Sequence, residues 1–148
     1  MTQRAHRTPR LTALDTNILA RYYVQSEQAE AATTAQCERA RALLESGKPL
    51  FVATTVALEL EWVLRGFYKL APATVAAVFE HLLAMPHVQV QDRQALQSAC
   101  DALALGFDFA DALHHASSRH CDALATFDDK GFAQRAAAQG WAPKVMVP

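Results

Sequence analysis

Several things are scarce in this sequence, and each scarcity excludes something. Glycine and proline number only five and six in 148 residues, too few for a collagen-like or low-complexity chain, and long stretches are free to form helix. The three cysteines, Cys37, Cys100 and Cys121, are widely spaced with no C-x-x-C pair. That excludes a zinc knot or a dithiol couple and points to reduced thiols in the cytosol. No run reaches the roughly 18 unbroken apolar residues of a membrane span, and the opening MTQRAHRTPR has no apolar leader segment. The expectation is a soluble, cytoplasmic protein with no membrane partner. Charge of one sign is also missing: the formal net charge is −1 at pH 7. Any affinity for nucleic acid must therefore come from a local basic patch.

What is present is apolar residue in quantity, 51% of the chain, enough for one compact domain with a substantial core. The division expected is a basic amino-terminal arm over 1–10, carrying Arg4, Arg7 and Arg10, and a single domain over 11–148. Short apolar runs of strand character recur at 11–14, 50–53, 88–90, 123–126 and 145–147. Each but the last leads into a helical pattern, the signature of β-α units around a parallel sheet. Helices are expected over 17–24, 27–46, 55–70, 73–85, 92–105, 109–119 and 129–139, separated by glycine and proline punctuation such as Gly47-Lys48-Pro49 and Ala71-Pro72.

The chemistry suggested by this pattern lies in the carboxylates. The first run passes into Asp15-Thr16-Asn17 and the fourth into Asp128-Asp129. In a parallel sheet the carboxyl ends of the strands share one edge, where ligands bind. A lone aspartate at such a place is explained by helix capping, since its oxygens accept from free N–H groups. Asp108-Phe109-Ala110-Asp111 has the form of a capping box, with Asp108 as the cap. Capping does not explain why Asp111 shares a polar face with His115 and Ser118, four and seven residues on.

Glu59 stands inside Val56-Ala57-Leu58-Glu59-Leu60-Glu61-Trp62-Val63-Leu64. At about 100° per residue, Val56, Leu60, Val63, Leu64 and Phe67 form the apolar stripe, with Glu59 bordering it. Glu61 falls opposite, four residues before Arg65, as a solvent-exposed pair. Of the two, Glu59 is expected to point inward, a costly place for a carboxylate without a cation. Were Asp15, Glu59, Asp111 and Asp128 to converge, each close pair would repel by about 4 kcal/mol at 4 Å and a dielectric near 20. A hard divalent cation relieves that repulsion, takes oxygen ligands and acidifies a bound water that can attack a phosphodiester.

With these pieces in place, LDTNILARYY, VALELEWVL, GFDFADALHHA and ATFDD, the chain from Leu11 to Val147 resembles a PIN domain, and within that family the VapC-type toxins of bacterial toxin–antitoxin pairs. The resemblance implies a three-layer α/β/α sandwich around a short parallel β-sheet of four to five strands. It also implies RNA cleavage with Mg²⁺ or Mn²⁺ held by Asp15, Glu59, Asp111 and Asp128. Asn17 and Thr126 match polar positions that support the acids by hydrogen bonds. The resemblance further implies a cognate antitoxin, whose tail occupies the acidic groove, and a homodimer. Two departures stand out: the arm before the first strand, and the doublet Asp128-Asp129, in which Thr126-Phe127-Asp128 favours Asp128.

Other residues carry less. None of the six histidines has the spacing of a zinc site; His115, one turn beyond Asp111, is a candidate for solvent or RNA phosphate. Arg21 belongs to a set of scattered cations from which an RNA-facing patch could be drawn. Tyr22, Tyr23, Trp62 and Phe67 are expected in the core or at a dimer contact. Two rival functions fit parts of the pattern. A phosphatase with Asp15 as covalent nucleophile would want a second carboxylate two residues on, where Asn17 stands. A non-catalytic RNA- or protein-binding module of the same fold would use the acids only as caps, and would take up no Mn²⁺.

Overall fold

The structure, a computed structural model, describes residues 10–148; the basic arm expected over 1–10 lies, but for Arg10, outside the described residues. Strand β1 (Thr12–Ala13) leads into α1 (Thr16–Tyr23) and α2 (Ala31–Leu44). Strand β2 (Leu50–Val52) leads into α3 (Thr54–Trp62), which runs on as a π turn over Val63–Phe67, and then α4 (Pro72–Ala84). Next come β3 (Val88–Val90), α5 (Arg93–Ala104), α6 (Phe109–Ser117) and β4 (Ala123–Ala125). A second π turn (Asp129–Ala133), α7 (Gln134–Ala138) and β5 (Lys144–Met146) complete the order.

All strand pairings are parallel, as expected for an α/β chain, but the single sheet of four to five strands is not what forms. The strands divide into a three-stranded sheet, β1-β2-β3, and a two-stranded sheet, β4-β5. Length is the physical reason. β1 has two residues before Leu14 and Asp15 turn the chain into α1. A parallel ladder gains little per residue, and so short a strand pairs on one edge only, through Thr12 N–H to Pro49 O and Leu14 N–H to Phe51 O.

The core is built from Leu19 of α1, Leu44 of α2, Leu50 and Val52 of β2, Leu60 and Leu64 of the third helical segment, Phe79 and Leu82 of α4, Leu96 of α5 and Phe109 of α6, all buried. Phe79 and Phe109 stack with ring centroids 5.3 Å apart. With α3 packed on α1 and on α6, residues at the amino end of α1, along α3 and at the amino end of α6 come to one side of the molecule.

Candidate acidic active site

Asp15 follows Leu14 at the carboxyl end of β1 and is the N-cap of α1, its carboxylate accepting from Thr16 N–H at 2.7 Å. Its side chain and that of Glu59 line one hollow of about 260 Å³, together with Thr16, Asn17, Arg21 and Tyr68. Glu59 also lines a second hollow of about 540 Å³, shared with Asp108. Asp108 is the N-cap of α6 and accepts from Asp111 N–H at 3.0 Å, as the capping box requires. The Asp111 carboxyl is pushed above its ordinary range first by partial burial, then by the neighbouring charges of Asp108 and Asp128, with His114 opposing. The four expected acids thus form an arc: Asp15 and Glu59 about one hollow, Asp111 and Asp128 within electrostatic reach of each other, and Asp108 between.

The arc is looser than a ligand cluster. Among the described residues, no three Asp, Glu, His or Cys side chains lie close enough together to hold an ion. The donor set is nonetheless all carboxylate oxygen, the chemistry a hard divalent cation takes.

Around the acids, Thr126 supports Asp128 through the backbone: its Oγ1 accepts from Asp128 N–H at 3.1 Å. The Asp128 carboxylate folds back to accept from Gly131 N–H at 2.9 Å, where a side chain at 131 would collide with it. Asp129 is engaged elsewhere, accepting from Gln134 Nε2 at 2.8 Å, and Asp128 is the member of the doublet whose charge Asp111 feels. Asn17 is exposed at the Asp15 hollow.

Three expectations are corrected here. Glu59 is exposed and Glu61 is the buried glutamate, with its side chain 4% accessible and Arg65 Nε donating to it at 2.7 Å. The buried face of α3 is Ala57, Leu60, Glu61 and Leu64, a stripe at spacings of three and four that includes the small Ala57 and excludes Phe67. His115 is not a solvated or RNA-facing group. It is buried, its Nε2 is bonded to Pro143 O at 2.7 Å, and its ring lies 4.7 Å from that of Trp141. Of the two places expected for Trp62 and Phe67, the core is excluded, since they are 59% and 70% exposed, and the dimer contact is left. Residues that the sequence did not single out are Asp108, beyond its capping role, and Thr16, whose buried Oγ1 has no hydrogen-bond partner. Their only signal was adjacency to Asp111 and Asp15.

The PIN domain family profile matches residues 12–138, a span that contains all four acids and most of the chain. The chain belongs to the PIN domain family. No curated protein and no solved structure matches it. PIN domains are generally nucleases that use divalent metals, which agrees with an acid-lined edge and a parallel α/β fold. Among the described residues, no helix is long and apolar enough to cross a membrane.

Proposed function

We propose that this protein is a divalent-metal-dependent endoribonuclease, the toxin of a toxin–antitoxin pair, with Asp15, Glu59, Asp111 and Asp128 as its metal-holding and catalytic acids. The observation that carries the reading is the state of Asp111. Its carboxyl is partly buried and within electrostatic reach of Asp108 and Asp128, at the amino end of a helix packed on the one that carries Glu59, in a chain whose family is one of nucleases. Mg²⁺ or Mn²⁺, when bound there, would supply charge neutralisation and an acidified water for attack on a phosphodiester.

The chain's own groups have distinct tasks. Asp15 and Glu59 present oxygens to their shared hollow, Asp111 and Asp128 would add theirs on binding a cation, and the capped amino ends of α1 and α6 hold two of the four backbones in place. Thr126 and Gly131 fix the turn that aims Asp128. The three-layer packing, the homodimer and an antitoxin whose tail covers the acids belong to the same reading, as does a cytoplasmic location. A second reading, a PIN-like module that binds RNA or protein without cutting, is favoured by the spread of the acids along an arc.

RNA cleavage assayed in Mn²⁺ separates the two. The wild-type chain should cut, and Asp15→Asn and Asp111→Asn should each lose the metal-dependent rate. Equal rates in all three, or no Mn²⁺ uptake by the wild-type chain in calorimetry, would remove the nuclease reading.

A further inference from the structure

Arg21 is the cation of the Asp15–Glu59 hollow, yet it is engaged by neither acid. Its Nε donates to Gln36 Oε1 at 3.0 Å and its Nη1 to Tyr68 Oη at 3.1 Å. Both acceptors are neutral. Among the described residues its guanidinium forms no ion pair; the pairs found are Glu61–Arg65 and Asp92–Arg119. An arginine beside two carboxylates would ordinarily close on one of them, because charge-assisted, bidentate bonds are the stronger ones. Two neutral acceptors on other elements, Gln36 on α2 and Tyr68 beyond α3, hold it back and leave its full charge and its Nη2 edge uncommitted.

The Tyr68 position depends on the π turn. Over Val63–Phe67 the helix widens, Tyr68 N–H bonds back five residues to Val63 O at 3.0 Å, and Leu70 N–H closes the end on Leu64 O at 3.0 Å. Lys69 takes the left-handed conformation at φ 59°, a strained place for a lysine. The widened turn carries Phe67 out of the core and brings the Tyr68 hydroxyl across to α1. Inserted π turns of this kind are frequently found at functional sites.

We propose that Arg21 is the phosphate-docking group of the acidic hollow, and that Tyr68, brought there by the π turn, is the residue that positions it, with Gln36 as the second support. The inference rests on the ribonuclease reading and deepens it. A phosphodiester carries one negative charge and is repelled by the Asp15–Glu59 pair. A guanidinium held beside those acids, and kept from neutralising them, attracts the phosphate while the carboxylates stay available to a cation.

The test uses the full chain with Asp111→Asn in every protein, so that RNA binds in Mg²⁺ without being cut. A fluorescent single-stranded oligoribonucleotide is titrated by anisotropy across a salt series. Arg21→Gln should lower affinity about tenfold and reduce the slope of log K against log salt by about 0.7, the signature of one lost phosphate contact. Arg21→Lys should keep the slope and lose part of the affinity. Tyr68→Phe, which removes only the hydroxyl, should weaken binding about threefold at unchanged slope, as the loss of one modest hydrogen bond would. A purely structural Arg21 would lower thermal stability in Arg21→Gln and leave the slope alone, and that result overturns the proposal. If the Asp111→Asn protein fails to bind RNA and the wild-type chain fails to cut it, the ribonuclease reading falls as well.

Discussion

Glu61 and Glu59 lie two residues apart on α3 and meet opposite surroundings. Both line the hollow shared with Asp108, but Glu61 is buried beneath Arg65 there, while Glu59 is exposed and also lines the hollow of Asp15. The same contrast separates Asp92 from Asp111. Asp92 caps α5 and receives both Nη atoms of Arg119, at 2.8 and 3.1 Å, and that contact holds its carboxyl below the usual range. Asp111 is half-buried near Asp108 and Asp128, and its carboxyl moves the other way. Glu61 and Asp92 are each closed on by an arginine, at 2.7 and 2.8 Å, whereas Asp15, Glu59, Asp111 and Asp128 form no ion pair among the described residues. Burial alone therefore does not mark an acid open to a cation: the best-buried glutamate is the one whose charge is already neutralised.

The sharpest way to break the comparison is to remove one charge from the unpaired set. Asp15→Asn or Asp111→Asn should lower Mn²⁺-dependent RNA cleavage about a thousandfold, the rate equivalent of the several kcal/mol a bound ion contributes. Glu61→Gln should leave that rate within about twofold, since the Glu61 charge is already paired with Arg65. Next in size is the paired set itself. Arg65→Ala strands a buried carboxylate and should cost about 2 kcal/mol in urea denaturation, less than a fully buried pair because Arg65 is half in solvent; no change would mean the pair is idle.

Smaller effects carry opposite pH signatures. The Asp92 carboxyl is lowered by Arg119, so the stability from this contact is present above the ordinary carboxylate range and lost as pH falls through the lowered value. Melting curves of Arg119→Gln and the native chain should differ at neutral pH and converge in acid. The Asp111 carboxyl is raised, so whatever it contributes is complete at low pH and lost as pH rises through the raised value. In chelator at pH 7, Asp111→Asn should therefore melt about 1–2 °C higher than the native chain, the shift expected for less than 1 kcal/mol in a domain of this size. Addition of Mn²⁺ should reverse the order, because only the native chain gains from binding. Parallel behaviour with and without the ion would merge the two classes of acid into one.

Much of the fold was legible because the helical patterns are long and the punctuation is strong. All seven helical stretches form, and the run at 88–90 is strand β3. The division of the sheet was not legible, since strands of two or three residues carry too little pattern to say which edges pair. The face of α3 was misread for a definite reason. A wheel weighted by large apolar residues gave no credit to Ala57, and a constant 100° per residue cannot anticipate a π turn that rotates Phe67 outward. Glu59 was thus reached through a wrong orientation, although it does face the hollow with Asp15. The second π turn, at Asp129–Ala133, was equally invisible. His115 was misjudged because its partner, Pro143 O, lies 28 residues away. The cap at Asp108 was readable because it is local, and local hydrogen bonds are what a sequence displays best.

The pocket beneath Asp128 has no room for a methyl group. A Cβ at residue 131 would sit 2.7 and 2.8 Å from the two carboxylate oxygens, so the bare backbone there acts as the seat on which that negative charge rests. Gly131→Ala would relocate a charge that Asp128→Asn deletes, and so would distinguish a requirement for the charge from a requirement for where it is held.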